Sequence, residues 1–397
     1  MVESGAMKET YLDHIAATRP HPDVVAAMIP WLSEEFGNPM SLHRFGERPR
    51  AAVEEARGHV ARLLGCDPVE ITFTGSGTEA NHLALYGLSA PLRRRGRHLI
   101  VSAIEHPSIL APARRLARDG FELTELSVEG DGLVDLTSLA DAIRPDTALI
   151  SIQLANPEIG TIQPIADMAR IAHARGALMH TDAVAAGGRL ALDVGALGVD
   201  SLSVAANQFY GPPGIGALYV RRGVRLDPQF LGGVQEGGRR SGGHNVPAIV
   251  GMGRAAALAI DHQADWERVL RSLDRELTKG LTEIGGVRLT GHPDRRLPGH
   301  VSACLEFIEG EALVRLLGQA GIAAASGSAC SDFTVSSKAS HVLTALGIEP
   351  SLAQGSLVLS LGRETTREDV ATVLRVLPLL VARLRALSPL APRGPDG

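Results

Sequence analysis

The stretch Ser201–Gly216, SLSVAANQFYGPPGIG, opens on a short apolar run, passes through a Gly/Pro-rich segment and leads into a second run, Gly216–Val220. Working outward, similar short runs occur at Glu70–Thr74, His98–Ser102, Ala148–Ile152 and Leu178–Thr181, separated by Ala/Arg-rich stretches of helical length. Strands alternating with helices predict βαβ units and a mostly parallel sheet, hence an α/β fold. From about Asp265 the pattern changes to a long helix, strands around Val301–Glu306 and a loop after Ala325. A chain of 397 residues exceeds the usual limit for one core. We therefore expect a large domain over 20–264 and a smaller α+β domain from 1–19 with 265–387. The Pro/Gly-rich tail 388–397 is expected to be disordered.

Composition bounds the function. With 45% hydrophobic and 21% charged residues and a net charge of -5, nothing points to a nucleic-acid or membrane surface. No apolar run approaches the ~20 residues that span a bilayer. The start, MVESGAMKETYLDH, has no hydrophobic signal core, so a cytoplasmic location is expected. Met1–Ala6 reads either as an upstream start or as a cloning scar, with Met7 as a second start. Three cysteines, Cys66, Cys304 and Cys330, without a CxxC pair argue against a disulfide framework or a zinc site. The 39 basic residues include only three lysines, Lys8, Lys279 and Lys338, a skew towards arginine that fits a GC-rich genome. No lysine lies between residues 9 and 278.

The segments YLDHIAAT, FGNPMSLHRFG, FTGSGTEAN, SAIEHPSIL, PEIGTIQPI, HTDAVAA, RRSGGHNVP and SGSACS follow one another along nearly the whole chain. In this order and at this spacing, with Ser201–Gly216, they resemble cysteine desulfurases of the NifS/IscS type, enzymes of the class V aminotransferase fold. The resemblance implies a PLP-dependent transferase of fold type I and a homodimer. It also implies pyridoxal 5′-phosphate (PLP) held as a Schiff base on the lysine of S-x-S-x-H-K-x-Y-G-P-x-G-x-G. Other class V branches, the phosphoserine aminotransferase and kynureninase relatives, would not be expected to carry the Cys330 loop with its downstream SHVLTALGI.

By the same resemblance, Gly75–Thr78, with Gly77 and Thr78 at its heart, would bind the phosphate at a helix N-terminus. His106 would stack on the pyridine ring, and Asp182 would hold the ring nitrogen protonated. The alternative for each is an inherited packing or hydrogen-bonding role. The departures cluster at this same site. Gln208 stands at the lysine position, and an amide cannot form an imine. Ala205 replaces the phosphate-binding serine, Asn207 the histidine, and Ala185 the glutamine that meets the phenolic oxygen. Pro157 replaces an asparagine and removes a backbone donor as well. Gly243 replaces the threonine that reaches the partner subunit's phosphate, and Val358 the arginine that clamps the substrate carboxylate. At about 1.5–3 kcal/mol for each charged hydrogen bond, such losses weaken PLP binding by orders of magnitude.

Cys330 is kept, in SGSACSDFTVSSKASHVL, where the family has its persulfide-forming cysteine. Its small, polar neighbours favour an exposed, reactive thiol over an incidental small residue. Cys66 and Cys304 read as structural. Lys338, on the same loop, reads as a solvated lysine rather than a replacement Schiff-base residue, and His244 as a surface or capping histidine.

Three functions are open at this point. The chain handles sulfur or assembles iron–sulfur clusters without PLP catalysis, with Cys330 as persulfide carrier or as ligand of a [2Fe–2S] cluster shared with a scaffold or sulfur-acceptor partner. Alternatively it is an active desulfurase that binds PLP weakly and non-covalently. In the third, it is a structural partner of a lysine-bearing desulfurase. No covalent PLP is expected in any of the three readings.

Overall fold

The computed structural model describes residues 9–93, 96–327 and 340–391. The six runs singled out above, with a seventh strand at Glu122–Leu126, form one sheet: β1 (Ile71–Thr74), β2 (His98–Ser102), β3 (Glu122–Leu126), β4 (Thr147–Ser151), β5 (Leu178–Asp182), β6 (Ser201–Ala205) and β7 (Gly216–Val220). Their order across the sheet is β1-β7-β6-β5-β4-β2-β3. All neighbours are parallel except those of β7, which runs antiparallel to both β1 and β6.

These strands read as continuous apolar runs because both faces of the sheet are covered. One face packs under α1 (Arg44–Leu64) and the long helix α4 (Val246–Thr282); the other packs under α2 (Gly77–Leu92) and α3 (Pro107–Arg118). Alternate side chains divide between the two layers, with Leu99 and Val101 facing α2 and α3 while Ile100 faces the α1 side. Helices α1 and α4 approach so closely that a Cβ on Gly253 would lie 2.5 Å from the Cα of Ala56, so only glycine fits there.

A second core lies around three antiparallel strands, β8 (Val287–Leu289), β9 (His300–Leu305) and β10 (Ser356–Ser360), in the order β10-β9-β8. The C-terminal half of α4, through Leu270, Leu273, Leu277 and Leu281, packs there with α5 (Arg367–Leu387). Leu12 joins this core, and Thr10–Tyr11 pairs in parallel with Ile322–Ala323. The change of pattern at Asp265 falls inside α4, one continuous helix that supplies both cores.

Arg189, fully buried, ties the two parts together: its guanidinium donates to the carbonyls of Pro298 (2.7 Å) and Leu361 (3.0 Å). The carboxyl ends of β1, β5 and β6 deliver Thr74, Asp182 and Ala205 to one edge of the sheet. In open α/β sheets that edge is where ligands sit.

Candidate functional site

The turn after β1 leads into α2, whose cap is Ser76. Its hydroxyl accepts the Glu79 N–H at 3.1 Å, while the Glu79 carboxylate folds back to accept the Gly75 N–H at 2.7 Å. Arg240 closes on Glu79 at 2.7 Å. The Gly75 donor expected to face a phosphate therefore already holds an internal carboxylate. Thr78 follows in the first helical turn with its side chain exposed. Gly77 is there because α2 starts against the next two turns: a Cβ would lie 2.7 Å from Val184 and 3.3 Å from the methyl of Ala205.

Asp182 ends β5 fully within the protein, and burial raises its carboxyl above the ordinary range. One oxygen accepts from the Val184 N–H (2.9 Å), the other from the Asn81 amide (2.7 Å). The same amide nitrogen donates to the Ser108 hydroxyl at 2.9 Å. Ser108 lies 2.7 Å from Nδ1 of His106, which also caps α3 by accepting the Ser108 N–H. Since Nδ1 accepts, a neutral His106 carries its proton on Nε2. Asp182 and His106 are thus brought together through Asn81 and Ser108, neither of which the sequence reading had singled out. Glu105, beside them, is buried and pushed up to about 8, chiefly by desolvation.

Gln208 closes a short helical turn after β6 and is 7% exposed. Its amide nitrogen donates to the carbonyl of Ile15 at 2.9 Å, and its oxygen has no partner among the described residues. Asn207 meets Thr18 through its backbone carbonyl, which accepts from the threonine hydroxyl at 2.8 Å. The Pro157 carbonyl accepts from His300 at 2.8 Å. Val358 lies in β10, bridged to Ala325, and its side chain is part of the main apolar core with Ala185. Gly243 is exposed, with open space where a side chain would stand.

The residues gathered here fit PLP in part. They fit the ring: a buried carboxylate with no cation bonded to it among the described residues and a half-buried histidine are linked in one hydrogen-bonded set. They do not fit covalent attachment. Among the described residues the only lysine is Lys279, exposed in the last turn of α4.

Cys330 and Lys338 lie outside the described residues. The flanking residues do not: Gly327 donates through its N–H to the Ser356 hydroxyl (3.0 Å), and Ser340 donates to Glu158 (2.7 Å). Glu158 is partly buried, and desolvation raises its carboxyl to about 8. Cys304 is fully buried in β9 and Cys66 half-buried; burial pushes both thiols up to about 12. His244 corrects the expectation of a surface or capping histidine. Its side chain is 9% exposed and its Nε2 lies 2.7 Å from Glu236, while Asn245 caps α4. Glu236 also binds both terminal nitrogens of Arg57 (2.7 and 2.8 Å) and the Phe73 N–H (2.8 Å). No local pattern marks this cluster, because its members come from distant segments.

Residues 10–373 match the family "Aminotransferase class-V". Among curated relatives, "Cysteine desulfurase IscS 1" of Archaeoglobus fulgidus is 46% identical over 96% of this chain and 99% of its own. "Cysteine desulfurase IscS" of Methanosarcina thermophila is 45% identical over 97% of this chain and 95% of its own. A solved structure described as a "NIFS-LIKE PROTEIN" superposes with a TM-score of 0.89 at 34% identity, covering 94% of this chain and 100% of that one. "SspA in complex with cysteine" superposes at 0.78 and 33% identity, covering 90% and 100%. With the doubly covered, mostly parallel sheet, these likenesses place the chain in the class-V aminotransferase family, fold type I, among the cysteine desulfurases of the IscS/NifS type.

Proposed function

We propose that this protein carries sulfur on Cys330 without PLP-dependent turnover of cysteine. The observation that carries the reading is Gln208: the position that would hold the cofactor is a buried amide committed to the Ile15 carbonyl. Val358, in the core where a carboxylate clamp would stand, supports it.

Sulfur arrives from a sulfane donor. The Cys330 thiolate attacks the terminal sulfur of a donor persulfide, a new S–S bond forms, and the donor's S–S bond breaks with the donor leaving as a thiolate. The loaded cysteine passes the sulfur to an acceptor, or the free thiolate ligates a [2Fe–2S] cluster shared with a scaffold protein. The protein acts as a homodimer in the cytoplasm. Among the described residues no helix is long and apolar enough to cross a membrane.

A second reading, an active desulfurase with non-covalent PLP, is favoured by the set Asp182–Asn81–Ser108–His106. Asp182 would hold the ring nitrogen, His106 the ring face, and Gly77 with Thr78 the phosphate. When bound, the group supplies an electron sink for the amino acid's α-carbon.

Mass spectrometry after loading with a sulfane donor separates these readings from a purely structural role. One sulfur atom gained on the Cys330 peptide, absent from Cys330→Ser, is expected. Equal loading of Cys66 or Cys304, or none, would overturn the proposal.

A further inference from the structure

We infer that Glu158 is the positioning residue of Cys330: its one carboxyl group fastens both ends of the segment 328–339, in which the cysteine lies. This rests on the reading that Cys330 is the working thiol, and it names the residue that decides where that thiol can go.

Glu158 stands on a turn held from within. Asn156, 1% exposed, accepts the N–H groups of Glu158 (2.8 Å) and Ile159 (2.9 Å) on its amide oxygen, and its amide nitrogen donates to the Ile104 carbonyl (2.9 Å). The neighbouring Pro157 carbonyl accepts from His300, the first residue of β9. The backbone beneath the Glu158 side chain is thus tied both to the segment after β2 and to β9.

The two ends of the Cys330 segment meet on that carboxyl. At one end Ser340 donates to Oε2 at 2.7 Å. At the other, Gly327 passes so close to Oε1 that a Cβ there would collide with it. Oε1 cannot swing clear without drawing Oε2 away from Ser340. Each end has a second tie. The Gly327 N–H donates to the Ser356 hydroxyl on β10 (3.0 Å), and Ser340 caps the short helix His341–Ala345 by accepting from the Val342 and Leu343 N–H groups (3.1 and 3.3 Å).

Oε1 is buried and has no hydrogen-bond partner among the described residues. A buried oxygen left so is costly, and an apolar side chain would fill the same space without that cost. What the carboxyl supplies, and an apolar group cannot, is the bond to Ser340. Chain length then carries the anchoring to the thiol. Cys330 follows Gly327 by three residues, a reach of at most about 11 Å, whereas the ten residues to Ser340 reach at most about 36 Å. The Gly327 end therefore sets the position, and the Ser340 bond keeps the carboxyl against that end.

A nitroxide spin label on Cys330 of the full-length protein reads this, with labelled Cys330→Ser as the blank and urea midpoints showing that each variant is folded. Glu158→Ala is expected to shift the label's spectrum towards faster motion. Glu158→Gln should keep the wild-type spectrum: the carboxyl, raised to about 8, is mostly protonated near neutral pH, and the amide matches its shape, its neutrality and its acceptor for Ser340. Ser340→Asp keeps an oxygen to cap the short helix but has no hydrogen to give Glu158, and should match Glu158→Ala. Should Glu158→Ala fail to fold, Ser340→Asp carries the comparison. One spectrum shared by wild type, Glu158→Ala and Ser340→Asp overturns the inference, as does a Glu158→Gln spectrum matching that of Glu158→Ala. A Cys330 that takes no label would instead break the parent reading, in which this thiol is reachable; labelling without a difference among variants breaks only this inference.

Discussion

Replacing Glu236 by glutamine should destabilise the protein by about 3 kcal/mol near neutral pH. Its side chain is 2% exposed, and its carboxylate is the shared acceptor for Arg57, His244 and the Phe73 N–H. Burial alone would raise this carboxyl. The Arg57 hydrogen bonds, with help from His244 and Phe73, more than offset that and hold it at about 2 against an ordinary 4.5. A gap of roughly 2.5 pH units corresponds to about 3 kcal/mol. Because the folded-state value lies below the unfolded one, this stability is complete above about pH 4.5 and fades as the pH falls towards 2. In Glu236→Gln the Arg57 guanidinium, 9% exposed, loses its buried carboxylate but keeps Glu54 and the Ile71 carbonyl. Urea unfolding of wild type and variant, at one protein concentration and a series of pH values, is the assay. The difference should be near 3 kcal/mol at neutral pH and shrink below about pH 4.5. A difference under ~1 kcal/mol, or one that does not change with pH, would mean that the cluster does not hold the fold.

Three further outcomes are expected. Gln208→Lys alone should leave cysteine desulfuration at least ~100-fold below that of lysine-bearing relatives, because Val358 and Gly243 still lack the polar groups for carboxylate and phosphate; near-family sulfide release in the single variant would contradict this. Limited iodoacetamide near neutral pH should modify Cys330 first, since burial holds Cys66 and Cys304 protonated with values of about 12, and earlier labelling of either would contradict it. Exposed Ile29, Leu32, Phe36 and Leu42 precede α1 and Phe230, Leu231 and Val234 precede α4, and we expect them to be covered in a homodimer burying over ~2,000 Å². Sedimentation as a monomer at micromolar concentration would rule that out.

The parallel sheet was legible in the sequence because its inner strands are buried on both faces and read as unbroken apolar runs. Strand β3, ELTEL, was not, since it is the sheet edge and keeps polar side chains towards solvent. The switch at Asp265 was visible as a change of pattern but is not a change of element: α4 continues while its buried face passes from one core to the other. At the site, the missing amine was readable from Gln208 alone. What the amide does instead was not, because Ile15 is 193 residues away in sequence. The Glu236 cluster escaped for the same reason, as Arg57 and Glu236 are separated by 179 residues and only the fold makes them neighbours.

In the proposed function, sulfur reaches Cys330 from a sulfane donor and not from cysteine turnover. Protein incubated with L-cysteine and PLP, in parallel with a persulfide donor, can be assayed together for alanine and for sulfur on the Cys330 peptide. One added sulfur on Cys330 is expected with the donor, lost in Cys330→Ser, and neither alanine nor persulfide with L-cysteine. Alanine formed in step with a Cys330 persulfide from L-cysteine would contradict it and identify a working desulfurase.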